Sequence, residues 1–271
     1  MGGFAIGTVE FGTMGLLPYF APALGISAPA AGHVISAYAL GVVVGAPVLA
    51  VLLARLPRRN VLVGLMLAFA VSNGLSGFAP DYRWMLVFRF LAGLPHGAYF
   101  GVASLVAASL VPPERRAQAI ARVLLGLTIA TIIGVPVANG IGQLVGWRWS
   151  FALVAVLALA TAGLVFFLVP LQRATSLEDS VGAPSRAASP LAELAVLKRG
   201  QVWLALGIGA VGFGGMFAVY TYLADTLLLV TKAPPVMVPV MLGIFGVGLT
   251  LGNLISAWFA DRALMATVAG D

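Results

Sequence analysis

Two ionisable residues lie within apolar stretches that are long enough to cross a bilayer. Glu10 is in GGFAIGTVEFGTMGLLPYFA, and Arg89 is in WMLVFRFLAGLPHGAYFGVASLVAASLV. A charged side chain in hydrocarbon costs at least ~2.5 kcal/mol, so such residues usually face the interior of a helix bundle or a wet cavity. The two residues therefore indicate a path for an ion or a solute through a membrane.

The chemistry that these two side chains offer is proton exchange beside a fixed positive charge. Glu10 lies eight residues from Pro18 and Arg89 lies five residues from Trp84, which is about 12 Å and about 8 Å along a helix. With Pro18 and Trp84 near one membrane surface, both charges are expected in a shared vestibule. A carboxylate can bind a coupling proton, whereas a guanidinium stays charged and tunes that binding. The alternatives are a structural hydrogen bond for Glu10 and an outward-snorkelling side chain for Arg89.

Smaller polar and aromatic residues are candidates for the wall of a substrate cavity. They are His96, Tyr38, Tyr99, Asn139 and Asn253. His96 follows Arg89 by seven residues, which places the two on one face of a helix. The alternative for each candidate is packing or hydrogen bonding between helices. A mostly apolar cavity suits many solutes, so the identity of a substrate stays open.

The composition is that of an integral membrane protein. Hydrophobic residues make up 61% of the chain, charged residues only 9%, and the mean hydropathy is +1.05, whereas soluble domains carry about 25% charged residues. Cysteine is absent, which excludes disulfides, thiolate metal sites and cysteine nucleophiles. The sequence lacks the motifs of hydrolytic, zinc or ATP-driven chemistry. We therefore expect no enzyme activity, no cofactor, no metal site and no nucleic acid as a partner.

Eight apolar segments of roughly twenty residues or more can be marked, the length that a helix needs to cross about 30 Å of hydrocarbon. They are Gly2 to Phe20, Ala30 to Leu53, Val61 to Ala79, Trp84 to Val111, Val123 to Val145, Phe151 to Val169, Val202 to Leu229 and Val236 to Phe259. The sequence therefore predicts an all-α membrane bundle.

The basic residues are unevenly distributed among the predicted loops. Eleven of the fifteen follow even-numbered segments, namely Arg55, Arg58, Arg59, Arg115, Arg116, Arg122, Arg173, Arg186, Lys198, Arg199 and Arg262. The other loops hold only Arg83, Arg148 and Lys232. Because basic loops stay on the cytoplasmic side, the sequence predicts a multi-pass protein of the cytoplasmic membrane with a cytoplasmic N-terminus.

One polar stretch divides the chain. Residues 171–200 read LQRATSLEDSVGAPSRAASPLAELAVLKRG, which has the composition of a linker. Its last part, residues 189–200, is predicted either as a short helix on the membrane surface or as an unstructured tether. We predict a six-helix half over residues 1–170, this cytoplasmic linker, and two helices of a second half over residues 201–271. The segment YALGVVVGAPVLAVLLAR aligns with FGVGLTLGNLISAWFADR, which favours an internal repeat of the kind found in many transporters.

Three segments carry recognisable motifs in a fixed order. They are FAIGTVEFGTMGLLPYFAPALGIS; FRFLAGLPHGAYFGVASLVAASLVPPERRAQA, with Arg89; and GLTIATIIGVPVANGIGQLVGWRWSF, with Gly126, Gly134, Pro136 and Gly140. They resemble the first span, the fourth span and the fifth-span antiporter motif of the major facilitator superfamily, and specifically of its proton-coupled drug and sugar efflux branch. Arabinose and chloramphenicol efflux permeases are the most similar members.

The loop between the second and third segments departs from the family pattern G-x-L-A-D-R-x-G-R-K. The segment AVLLARLPRR keeps Arg55, Arg58 and Arg59 but has alanine in place of the acid. The second copy, WFADR, keeps Asp261 and Arg262. The resemblance implies that these residues form a gating motif.

The resemblance implies a secondary active transporter, and the main expectation is a proton-coupled antiporter that exports sugars or drugs. A facilitator or an uptake permease of the same fold is one alternative, and an inactive product is another. Because family members have twelve spans, the eight predicted here are expected to represent a truncated transporter. The expected partners are protons, a small-molecule substrate and the lipid bilayer, and the expected state is a monomer.

Overall fold

The computed structural model describes residues 1–171 and 199–270, with side chains as far as Asn253 and at Ile255. Within these residues the secondary structure is helical and contains no strand, so the prediction of an all-α membrane bundle is confirmed. The helices are α1 (Gly2–Gly15), α2 (Leu17–Ala23), α3 (Ala28–Leu53), α4 (Arg58–Gly77), α5 (Tyr82–Ser109), α6 (Arg116–Ile129), α7 (Val135–Leu144), α8 (Trp147–Leu168), α9 (Gly200–Thr221), α10 (Leu223–Asp225) and α11 (Met237–Gly270).

Six helical segments of the described part are long and apolar enough to span a membrane. They are α3, α4, α5, Pro113–Leu144, α8 and Gly200–Val230. The chain is therefore a multi-pass membrane protein. Met237–Asn253 of α11 is a shorter apolar segment. The predicted linker and its surface helix or tether lie outside the described residues except at the two ends.

The first predicted span, Gly2 to Phe20, consists of two helices. α1 ends at Gly15, and α2 begins at Leu17 with Pro18 in its first turn. Proline has no N–H to continue the hydrogen bonds of an existing helix, but it fits the first turn of a new one. The prediction of a single helix is corrected here, because the apolar composition continues through the break and hydropathy does not register it.

The fifth predicted span begins earlier than expected and changes its winding in the middle. A 3₁₀ turn at Pro113–Arg115 leads into α6 at Arg116, whereas the apolar stretch starts only at Val123. Arginines in the first turns lower the hydropathy without interrupting the helix. A π-helical turn follows at Ala130–Gly134, just before Pro136. A proline removes one main-chain donor, and such turns commonly occur where the regular hydrogen-bond pattern is interrupted.

Glycines bring α3 and α5 into close contact. A Cβ atom on Gly41 or Gly45 would collide with main-chain carbonyl groups of α5, and one on Gly93 would collide with the carbonyl oxygen of Tyr38. Positions without side chains let membrane helices approach at main-chain distance. Gly41 and Gly45 are four residues apart, so both lie on the face of α3 that meets α5. The contact places Tyr38 directly beside α5.

α1 packs against the fifth span through a second set of small residues. A Cβ atom on Gly126 would lie 2.9 Å from the main-chain nitrogen of Phe4, and one on Gly3 would lie 2.9 Å from the carbonyl oxygen of Val123. Almost every residue of α1 is buried. The helix is therefore surrounded by protein, and its carboxylate, Glu10, lies inside the bundle.

A separate apolar cluster joins α1 and α7 to the helices that follow the polar stretch. Its buried members are Phe11, Met14, Val135, Tyr220, Ala224, Val238 and Leu242. The ring of Phe11 stacks on Phe217 with centroids 5.7 Å apart and meets the edge of Tyr220 at 5.6 Å. On α1 these contacts lie between Glu10 and Pro18. The N-terminal helices and α9 to α11 therefore touch in this half of the bundle.

Candidate functional site

A cavity of about 740 Å³ lies between α1, α3, α5 and α9. Its polar and charged lining consists of Glu10, His33, Ser36, Tyr38, Arg89, Thr221 and Tyr222. Much of the remaining wall is apolar and includes Met14, Ile35 and Phe217. The volume lies within the range of about 300–1,000 Å³ that is typical of sites for small organic molecules.

Glu10 and Arg89 both line this cavity. Glu10 comes from the second half of α1 and is partly exposed, whereas Arg89 comes from α5 and is only 1% exposed. Their charges are close enough to interact electrostatically. The structure thus brings together the two residues that the sequence argument paired, and the burial of Arg89 excludes the snorkelling alternative.

The guanidinium of Arg89 is surrounded by three neutral partners. Its Nη1 donates a hydrogen bond to Oδ1 of Asn73 at 3.3 Å. Its Cζ atom lies 4.4 Å from the ring centroid of Tyr38 and 5.6 Å from that of Phe151. Such stacking attracts the cation through the ring quadrupole and leaves its charge in place. The wall of the cavity therefore holds a buried positive charge at a defined position.

Asn73 is a site residue that the sequence analysis missed. It is fully buried in α4, and its Nδ2 donates to the carbonyl oxygen of Phe69 at 2.8 Å. The available signal is its place in VSNGLSG, a polar cluster within the third apolar segment. That cluster does not reveal which of its side chains faces α5.

Tyr38 connects Arg89 to His96. The Tyr38 hydroxyl and Nδ1 of His96 form a hydrogen bond of 2.9 Å, in which the donor depends on the histidine tautomer. The Tyr38 side chain is only 3% exposed, and its residue lines the cavity. The ring of His96 lies 5.4 Å from that of Phe100. His96 therefore supports Tyr38 and is not part of the cavity lining.

Three further predicted cavity residues lie elsewhere. Tyr99 is buried beside the start of α1, where a Cβ atom on Gly2 would collide with its ring. Asn139 is fully buried, and its Nδ2 donates to the carbonyl oxygen of Gly12 at 3.2 Å. Asn253 is exposed on α11. None of the three lines the cavity, and the first two side chains take part in contacts between helices.

His33 lines the cavity near the start of α3 and is exposed. Its Nδ1 and the hydroxyl of Tyr82 form a hydrogen bond of 2.8 Å. This bond links the beginning of α3 to the beginning of α5.

The gating-motif residues lie at the turn between α3 and α4 and within α11. Arg55 is exposed, while Arg58 and Arg59 are partly buried at the start of α4. The Cζ atom of Arg59 lies 5.1 Å from the ring centroid of Phe166 in α8. The side chains of the second copy, Asp261 and Arg262, lie outside the described residues.

Three of the four antiporter-motif residues, Gly126, Gly134 and Pro136, lie where the fifth span contacts α1 or α11. A Cβ atom on Gly134 would collide with the hydroxyl of Thr8. Pro136 faces α11, where a Cβ atom on Gly243 would lie 3.2 Å from its Cγ. A Cβ atom on Gly140 would meet open space. Close packing therefore explains the small residues at Gly126 and Gly134, and it does not explain Gly140.

The α9 side of the cavity was also not predicted. It is lined by Phe217, Thr221 and Tyr222. These residues belong to an apolar segment whose polar residues do not recur at helical spacing, so the sequence does not show which face is turned to the cavity. The Tyr222 hydroxyl lies next to Gly32 of α3. Among the described residues, no group of three or more His, Asp or Glu is arranged to hold a metal ion.

Comparison with known proteins places these features in a family. The model of the Major Facilitator Superfamily matches residues 1–270. The chain is 44% identical to the inner membrane transport protein YdhP of Escherichia coli strain K12, covering 100% of this chain and 67% of YdhP. It is 36% identical to the chloramphenicol resistance protein of Streptomyces lividans, covering 98% of this chain and 67% of that protein.

Solved structures agree in fold. The D-xylose-proton symporter superposes with a TM-score of 0.66 at 19% identity, covering 96% of this chain and 67% of the symporter. This chain spans about two thirds of the length of the curated relatives that it matches. Fold and family are those of transporters, and the chain belongs to the major facilitator superfamily.

Proposed function

We propose that this chain is the transporting part of a proton-coupled antiporter that exports small organic solutes across the cytoplasmic membrane. The observation that carries the proposal is that Glu10 and Arg89 line the same cavity. The partly exposed carboxylate is the group that can take up and release a proton. The buried guanidinium keeps its charge and sets how strongly that proton is bound.

A solute is exchanged for a proton across the membrane when the two occupy the same cavity in turn. With Glu10 ionised, its charge balances part of the Arg89 charge and the cavity accepts a solute. When a proton neutralises Glu10, the electrostatic balance of the wall changes and favours release of the solute. Access to the two sides of the membrane has to alternate between these states, as in other carriers with a site near the membrane midplane.

The lining supports an amphipathic organic solute. Phe217, Ile35 and Met14 offer apolar area, while Ser36 and Thr221 offer hydroxyl groups. The name of the Streptomyces lividans relative makes chloramphenicol a suitable first probe. The distribution of basic residues supports a cytoplasmic N-terminus and therefore places Pro18 toward the outside.

The test is transport of chloramphenicol by the purified chain in proteoliposomes with an imposed pH gradient. Glu10→Gln is isosteric and cannot ionise, so we expect it to abolish the part of transport that depends on the gradient. Glu114→Gln is the matched control, because Glu114 is exposed in the turn before α6. We expect that control to transport at the rate of the parent chain.

Two outcomes would contradict the proposal. Gradient-driven transport that persists in Glu10→Gln would remove Glu10 from coupling. Solute flux that is equal with and without the gradient in the parent chain would indicate a facilitator.

A further inference from the structure

Asn73 is the only hydrogen-bond acceptor that contacts the Arg89 guanidinium in the described part of the chain. Its amide is oriented by its own helix, since Nδ2 donates to the carbonyl oxygen of Phe69 at 2.8 Å. This bond leaves Oδ1 as the atom that faces α5. Both side chains are almost fully buried, with exposures of 0% for Asn73 and 1% for Arg89.

The chemical type of this partner matters as much as its position. A carboxylate at position 73 would form a buried ion pair and cancel the positive charge that Glu10 experiences. An apolar residue would leave a buried cation with no acceptor, which is costly. An amide satisfies one N–H of the guanidinium and adds no charge. The rings of Tyr38 and Phe151, which stack near the guanidinium, are also neutral.

We infer that Asn73 is a positioning residue that anchors the Arg89 guanidinium in the cavity wall while leaving its charge available to Glu10. The anchor acts with the ring of Tyr38, which covers one face of the guanidinium. It holds the cation in the cavity wall, so that a proton or a solute in the cavity meets its electrostatic field. This role rests on the proposed function, in which the Arg89 charge tunes Glu10.

The absence of cysteine from the chain allows a direct electrostatic test. The reporter is Glu10→Cys, because position 10 lies on the cavity and within range of the Arg89 charge. The measured quantity is the ratio of modification rates by an anionic and a cationic thiol reagent, sulfonatoethyl and trimethylammonioethyl methanethiosulfonate. In this background Arg89→Gln should lower the ratio on the order of tenfold, because one unit charge is removed nearby.

Variants at position 73 should move the ratio in opposite directions. Asn73→Asp should lower it about as much as Arg89→Gln, because the new carboxylate pairs with the guanidinium. Asn73→Ala should raise it several-fold, because the released guanidinium turns toward the wet cavity. Combined with Arg89→Gln, Asn73→Ala should have no effect on the ratio. Asn139→Ala is the matched control, since it removes an equally buried amide that contacts main-chain carbonyl groups instead.

The inference is overturned if Asn73→Ala leaves the ratio at its parent value, or if its effect persists without Arg89. If Asn73→Asp fails to fold, the ratio measured for Asn73→Ala is sufficient to test the inference. The reporter needs no transport, so the two proposals can fail separately. If substitution of Asn73 changes the ratio of modification rates but the chain shows no proton-driven transport, only the proposed function is refuted. An unchanged ratio in a chain whose transport depends on Glu10 would refute only the role of Asn73.

Discussion

At the residue scale, the cost of burying Arg89 is offset by ring stacking and one hydrogen bond. Tyr38 contributes twice, because its ring covers the guanidinium and its hydroxyl bonds His96. A desolvated cation over an aromatic face is worth up to about 2 kcal/mol, while a hydrogen bond between membrane helices averages about 0.6 kcal/mol. The ring is therefore the larger of the two contributions.

This difference predicts how two substitutions at position 38 should rank. Tyr38→Phe removes only the bond to His96 and should cost about 0.6 kcal/mol in the free energy of unfolding. Tyr38→Leu also removes the ring and should cost about 2–3 kcal/mol. Unfolding of the purified chain in mixed micelles by increasing denaturing detergent measures both. Equal losses in the two variants would show that the ring does not stabilise Arg89.

At the element scale, contacts between main chains fix the rotation of α3 and α5 about their axes. Gly93 lies against the carbonyl oxygen of Tyr38, and Gly41 and Gly45 lie against carbonyl groups of α5. This rotation directs Tyr38 toward Arg89 and the cavity. Helix packing therefore determines the site as much as the identity of its residues.

A large side chain at this contact between α3 and α5 should destabilise the protein far more than one at an open position. Gly93→Leu would force the two main chains apart, and we expect a loss of about 3 kcal/mol or more in the free energy of unfolding. Gly64→Leu in α4 is the control, because a Cβ atom there meets open space and the position is exposed. The same detergent titration compares the two. Similar stability of both variants would mean that α3 and α5 can separate at little cost.

At the scale of the whole molecule, the N-terminal helices meet α9 to α11 through the cluster around Phe11. Its members on α1 lie between Glu10 and Pro18. In this half of the bundle the two groups of helices are therefore in direct contact. A carrier has to open and close such a contact when access alternates. Phe11 is the central ring, since it meets both Phe217 and Tyr220.

Loosening this cluster should admit reagents to the cavity from the Pro18 side. Phe11→Ala removes a ring whose loss typically costs about 3–5 kcal/mol in a packed core. We expect it to increase several-fold the labelling of an Ala39→Cys reporter, which lines the cavity, by an impermeant thiol reagent added on that side. Phe78→Ala, at a residue that is 83% exposed, should leave the labelling rate unchanged. If both variants label at the parent rate, the Phe11 cluster does not close the cavity.

The sequence by itself determined the class of protein and identified two residues that line the candidate site. Apolar length sets the number of residues that cross hydrocarbon, and a charge in such a stretch is too costly to be incidental. Glu10 and Arg89 could therefore be paired before any coordinates were considered. The resemblance of three motifs also indicated the family correctly.

Only the tertiary structure decided which of the remaining side chains face the cavity. It selected Tyr38, Phe217 and Asn73 for the site and its support, and it placed Asn139 in a helix joint. The physical reason is that lipid and protein interior are equally apolar, so a membrane helix carries little hydropathy signal for its rotation. Rotation depends on which small residues let helices approach, and on breaks such as those near Leu16 and Ala130–Gly134. Nearby prolines cause the breaks, whereas the approach of small residues depends on contacts between segments that are distant in the chain.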